Sequence, residues 1–175
     1  MNNLVKLVQT SGKAIVLPAD AIKIVRTLEK AEREKHPKCK SGVWLVLEGR
    51  AQHAIVHESF GFILRKAGGP SSNRVQLSGM GSTKVSMPRD IFSHAIESER
   101  VEKDDKGKET LREDATILHT NLQSAGGPVA FFVQEPAADL FDLMQADVSD
   151  DTGEDDEEEE ADEAEADLVV VAEAD

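Results

Sequence analysis

Over the first 146 positions, apolar residues come in short blocks separated by turn chemistry, a spacing that predicts strands more than helices. Leu4-Val5-Lys6-Leu7-Val8 and Ala14-Ile15-Val16-Leu17 flank Thr10-Ser11-Gly12-Lys13, which predicts a hairpin. Further on, Ser41-Gly42 opens a strand over 43–47, and Glu48-Gly49-Arg50 turns it into a second over 54–57. Residues 60–66 (FGFILRK) predict a short amphipathic helix. A similar series closes the second half: strands over 115–118 and 129–133 around Ala125-Gly126-Gly127-Pro128, then a helix from Pro136 through Met144.

This order of features predicts an internal duplication. Asn3-Leu4-Val5 aligns with Asn73-Arg74-Val75, and Leu17-Pro18-Ala19-Asp20 with Met87-Pro88-Arg89-Asp90, both at an offset of 70. Val56-His57-Glu58 aligns with Val133-Gln134-Glu135 at an offset of 77. The joint is Ala67-Gly68-Gly69-Pro70-Ser71-Ser72, which has linker composition. The expected fold class is α+β, mostly β. It comprises a first repeat over 1–72, a second over 73–146, each closing with a short helix, and a disordered acidic tail over 147–175.

Each repeat carries a polar arm. In the first, Ala21, Ile24, Val25, Leu28 and Ala31 have helical spacing and RTLEKAEREK is rich in helix formers, yet Ile22 and Ile24 also alternate like a strand. Both readings stand at this point. In the second, Lys103-Asp104-Asp105-Lys106-Gly107-Lys108 is a turn between extended segments and predicts a β-ribbon.

Charge divides the chain more sharply than hydropathy does. The net charge is −14, yet residues 1–112 hold 20 basic and 13 acidic residues, and residues 113–175 hold 21 acidic residues and no basic one. Sixteen of those acids lie from Asp147 onward, a block that repels itself and has little to bury. Repeat one has a net charge of +6 and repeat two of −4. The clustered cations are Lys30, Arg33, Lys35, Lys38 and Lys40, with Arg26 and Arg50 on the same repeat. Clustered Lys and Arg suit phosphate binding because neutralising phosphates releases condensed counterions. The plain alternative is a solvated polar arm.

Aromatics for base stacking are scarce, at 4 % of the chain. Of the phenylalanines, Phe60, Phe62, Phe92, Phe131, Phe132 and Phe141, most lie in apolar runs and are expected in the core. Trp44 points away from Val43, Leu45 and Leu47 and is the single best stacking candidate, with burial as the competing reading.

The segments VKLVQTSGKAIVLPADAIKIV and GVWLVLEGRAQHAIVHESFGFILRK resemble the small flagellar motility proteins of the FlbD type. That resemblance covers about a third of the chain and implies a small β-rich unit, not an activity. The layout as a whole is similar to the single-stranded DNA-binding proteins of bacteria and their phages. Both combine a compact β-rich body, a basic side and an acidic C-terminal tail with an apolar tip, here Asp167-Leu168-Val169-Val170-Val171. The likeness implies that the tail recruits replication or transcription partners and competes with nucleic acid for the basic surface. The chain departs from that class in lacking an OB-fold pattern and a terminal Pro-Phe.

Other chemistry finds little support. Cys39 is the single cysteine, which excludes an internal disulfide and a cysteine-based zinc site. His53 and His57 have a metal-binding spacing for a helix but fall on a predicted strand, about 13 Å apart. His36 and Cys39 form a lone pair. Glu58 and Glu135 recur at equivalent positions, where a helix dipole accounts for an acid. No phosphate loop, nucleophile elbow or paired acid/base signature is present, so the expected protein is not an enzyme and uses no cofactor.

The absence of a long apolar run argues against a membrane span, and MNNLVKLVQT lacks a signal core, so the expected location is the bacterial host cytoplasm. The tail has three readings: a solubiliser, a nucleic-acid mimic, or a tethered competitor at a roughly millimolar effective concentration. Leu168, Val169, Val170 and Val171 suit a docking strand for a protein partner. The expected function is single-stranded DNA or RNA binding, accessory to replication or transcription. The alternative is an interaction module acting through the tail. Homo-oligomerisation is left open.

Overall fold

A computed structural model describes residues 3–68 and 73–146. The expected tail and its apolar tip at Leu168, Val169, Val170 and Val171 lie outside the described residues, as does most of the joint between repeats.

The first repeat runs β1 (Leu4–Val8), β2 (Ala14–Pro18), β3 (Ile22–Thr27), α1 (Lys30–Lys35), β4 (Ser41–Leu47), β5 (Arg50–Val56) and α2 (Phe60–Lys66). The second runs β6 (Arg74–Ser78), β7 (Lys84–Pro88), β8 (Phe92–Lys103), β9 (Glu109–Ser124), β10 (Gly127–Val133) and α3 (Ala137–Gln145). The fold is mostly β, as the hydropathy pattern predicts. The first arm is a short helix and the second a long ribbon.

The duplication extends to individual hydrogen bonds. Ala19 donates its N–H to the carbonyl of Asn3, and Arg89 to that of Asn73. Each Pro-x-Asp forms a single 3₁₀ turn into the next strand. A bulge interrupts β3–β4 between Ile22 and Ile24, and another interrupts β8–β9 between Phe92 and His94. His57 donates to Val8 and Gln134 to Ser78, each from the residue just after the repeat's last strand to the hairpin. Every one of these pairs sits at the offset of 70 or 77 read from the sequence.

The cores repeat as well. Val5, Leu7, Leu17, Ala21, Val43, Val56 and Ile63 pack in repeat one. Val75, Leu77, Met87, Ile91, Leu118, Val133 and Leu140 hold the matching positions in repeat two. The bulge in β3 turns Ile22 into the first core and Ile24 into the second. Ala51 joins the second core also, so repeat one contributes two buried residues across the junction.

Backbone pairing joins the two repeats in one eight-stranded sheet, with the β1–β2 hairpin a separate two-stranded one. β3 pairs antiparallel with β7 at Val25–Ser86 and Arg26–Val85, and β5 meets β9 in a parallel bridge at Ala51–Ser124. Arg74 seals this junction. Its guanidinium donates to the carbonyls of Ile22 (3.3 Å), Lys23 (2.8 Å) and Ser86 (3.1 Å), and its Nε to Ser86 Oγ (3.2 Å). Burial lowers its pKa to about 10, so it is charged at neutral pH.

The structure adjusts three expectations. Phe60, Phe62, Phe92 and Phe131 pack against the cores, while Phe141 and Phe132 are 58 % and 38 % exposed; Phe141 follows buried Leu140 on the helix, and neighbouring helical residues face different ways. Pro136 caps α3 and does not sit in its first turn. Glu58 and Glu135 do more than precede a helix N-terminus. Glu58 accepts the Val8 N–H, and Glu135 the Ser78 N–H, so each acid clamps the end of its repeat's first strand.

Candidate nucleic-acid interface

The basic arm is built from α1 and the loop that follows it. Glu29 caps α1 through a capping box: its side chain accepts from the third helical residue, while Glu32 accepts the Glu29 N–H. Arg26, on β3, reaches up to Glu32 with a two-pronged pair, one prong at 2.6 Å. The Arg26 hydrogen bond outweighs burial and holds the Glu32 carboxyl at a pKa of about 2. Arg26 is thus an anchor of the arm and not a free phosphate ligand.

With Glu32 and Arg26 neutralising each other, the remaining cations face outward. Lys30, Arg33, Lys35, Lys38 and Lys40 are all exposed. A groove on one side is lined by Arg33, Lys40, Lys84 and Phe60. A second groove, between the arm and the β1–β2 turn at 10–12, is lined by Lys35, Lys38, His36 and His57. Cys39 separates the two, buried at their floor, and burial raises its thiol pKa.

Lys84 is the member that sequence reasoning missed. It belongs to repeat two and arrives beside Arg33 and Lys40 because β7 pairs with β3; its own N–H donates to Thr27 Oγ1 at 2.8 Å. Nothing local to Lys84 marks it.

Arg50 and Trp44 are not brought to this surface. Arg50 opens β5 at the far end of β4 from Ser41, six residue steps or about 20 Å away. Trp44 is half-buried on the face of β4 turned away from the first core, the face on which Arg26 lies over Gly42, and it packs against the second core. Its ring sits 5.0 Å from that of His53, tilted by 47°. Both line a cleft between the repeats with Ile24, Met80, Val85 and Phe131. Burial first, and the Arg26 charge second, lower the His53 pKa, so its imidazole is neutral at pH 7. The cleft joins this apolar wall to the charged side chains of Arg26, Glu29 and Arg100.

Among the described residues, no group of three or more His, Cys, Asp or Glu side chains could hold a metal ion. No helix among them is long and apolar enough to cross a membrane. No known protein family matches this chain, and neither the curated proteins nor the solved structures contain a significant match to it.

Proposed function

We propose that this chain is a non-enzymatic single-stranded nucleic-acid-binding protein, accessory to replication or transcription, whose acidic tail competes for the basic surface and recruits a protein partner. The observation that carries the reading is the arm. Five exposed cations, Lys30, Arg33, Lys35, Lys38 and Lys40, project from one short helix and its loop against one exposed acid, Glu34, while the helix's other acid, Glu32, is occupied by Arg26. Lys84 adds a sixth charge from the other repeat.

Phosphates would lie along the two open grooves flanking this arm. Such contacts neutralise charge and carry no base information, so the binding is sequence-tolerant and falls with salt. The tail, with 16 acids from residue 147 onward, offers the same arm a tethered polyanion.

Titration of single-stranded DNA into the full chain and into a chain ending at residue 146 tests this. The shorter chain binds more tightly, and its affinity falls steeply with salt. Lys35→Glu with Lys38→Glu weakens binding on every sequence and reduces the slope of log K against log salt by about 1.4, at about 0.7 per lost contact on a single strand. Absence of binding by the shorter chain at low salt would remove this reading and leave the tail-borne interaction module in its place.

A further inference from the structure

The junction between the repeats has a direction, and following it one step further leads out of the molecule. Within the chain, the third strand of repeat one (β3) pairs with the hairpin strand of repeat two (β7). The third strand of repeat two is β8, and the hairpin strand of repeat one is β2. Among the described residues β8 pairs only with β9, and β2 only with β1. The same bond that joins the repeats is thus left unmade at both ends of the chain.

Of the seven exposed large apolar residues among the described ones, Val16 lies on β2, Ile96 and Val101 on β8, and Leu4 on β1 beside β2. Val16 is 61 % exposed, while its counterpart at the junction, Ser86, is 1 % exposed beneath β3. Leu4 is 59 % exposed, while its counterpart Arg74 is held against the carbonyls of β3. Ile96 on β8 is 50 % exposed, and its counterpart Arg26 pairs with Val85 of β7. Where the internal junction uses Arg74, Ser86 and Arg26, the open edges present Leu4, Val16 and Ile96. Isolated exposed apolar residues are ordinary; these three take the positions that the internal junction fills.

We infer that a second copy of this chain adds its β2 to β8, reproducing between molecules the β3–β7 pairing seen within one. The offset of 70 sets the register: Ala95 opposite the partner's Val16, and Ile96 opposite the partner's Ile15, matching Val25–Ser86 and Arg26–Val85. Glu97, the counterpart of Thr27, is placed to accept the partner's Ala14 N–H as Thr27 accepts that of Lys84. Charge agrees with the direction, since each contact sets a repeat of net −4 against one of net +6. The contact is head-to-tail, so it leaves one β8 and one β2 open on every dimer and continues until a ring closes or a filament forms.

Complementation between two edge variants of the full chain tests this, read by native mass spectrometry and light scattering. The unaltered chain runs as a higher oligomer. Val16→Lys blocks the β2 edge and Ile96→Lys the β8 edge; both residues are exposed, so each variant folds, and each alone is a monomer. Mixed in equal amounts they form a one-to-one dimer and nothing larger, because each retains the edge the other lacks. Register is read by cysteine pairing: Val16→Cys and Ala95→Cys cross-link when mixed and not when alone, since directly opposed strand residues lie within disulfide reach. An unaltered chain that is monomeric at high concentration overturns the inference. So does a symmetric dimer in which either cysteine variant links to itself, or a mixture of the two lysine variants that stays monomeric.

Discussion

Glu58 receives the backbone N–H of Val8 on both carboxylate oxygens, each at 3.0 Å, across fifty residues of chain. The same acid in repeat two, Glu135, receives the N–H of Ser78 at 2.5 Å. The carboxylate thereby finishes a strand whose last donor has no strand partner, and ties the hairpin to the end of the repeat just before its closing helix. Truncating it leaves a partly buried N–H without an acceptor. Glu58→Ala is expected to cost about 1–3 kcal/mol in denaturant unfolding, and Glu58→Gln less, because an amide oxygen still accepts. Equal stability of Glu58→Ala and the unaltered chain would mean that water replaces the acid.

Arg74 holds the repeats together by a fork that meets three carbonyls, so its replacement separates shape from charge. Arg74→Leu, which copies Leu4 of repeat one, is expected to lose about 1.5–3 kcal/mol, the range for hydrogen bonds from a charged group. Arg74→Lys recovers little of it, since a single ammonium cannot reproduce the planar fork. Unfolding midpoints of the three proteins decide the matter, and full rescue by Lys would reduce Arg74 to a simple countercharge.

Acid should loosen the basic arm before the rest of the fold. Glu32 titrates near 2 in the folded chain against 4.5 when free. The stability it contributes is therefore complete above about pH 4.5 and is lost as pH falls from there toward 2. Because the pair is partly open to solvent, the loss is on the order of 1 kcal/mol. Unfolding free energies at pH 6 and pH 3 check this: the unaltered chain loses more than Glu32→Gln, which lacks the titrating group. Identical pH profiles would show that Arg26 does not hold the acid.

Trp44 is the chain's one tryptophan and reports on the cleft without competition. Its half-buried ring beside His53 is expected to emit at shortened wavelength and to resist quenching by iodide. Single-stranded DNA bound along the arm's two grooves leaves this emission nearly unchanged, because neither Trp44 nor His53 lines them. Strong quenching by DNA would move the bases into the cleft and away from Lys35 and Lys38.

The apolar tip separates a recruiting tail from a merely acidic one. Burying two of Leu168, Val169, Val170 and Val171 in a partner's groove contributes roughly 3–6 kcal/mol before ordering costs. Val169→Ser with Val171→Ser keeps the charge, so it should abolish capture of a protein partner while nucleic-acid binding is unaltered. Equal capture by both versions would leave the tail an electrostatic device.

The hairpin at 4–18, the helix at 60–66, the arm's cluster of cations and the division into two repeats were all legible in the residues, because each rests on local periodicity, turn chemistry or a recurring spacing. Ile22 and Ile24 left the first arm's start ambiguous for a local reason too: a bulge between them sends residues two apart, which an unbroken strand points to one face, into different cores. What only the tertiary structure decided is what lies far apart in sequence. That β3 lies beside β7, that Lys84 joins Arg33 and Lys40, and that Glu58 serves Val8 are matters of backbone hydrogen bonding between segments some fifty to sixty residues apart. Any residue but proline supplies both a backbone donor and an acceptor, so such pairings leave no local mark on the residue types that make them.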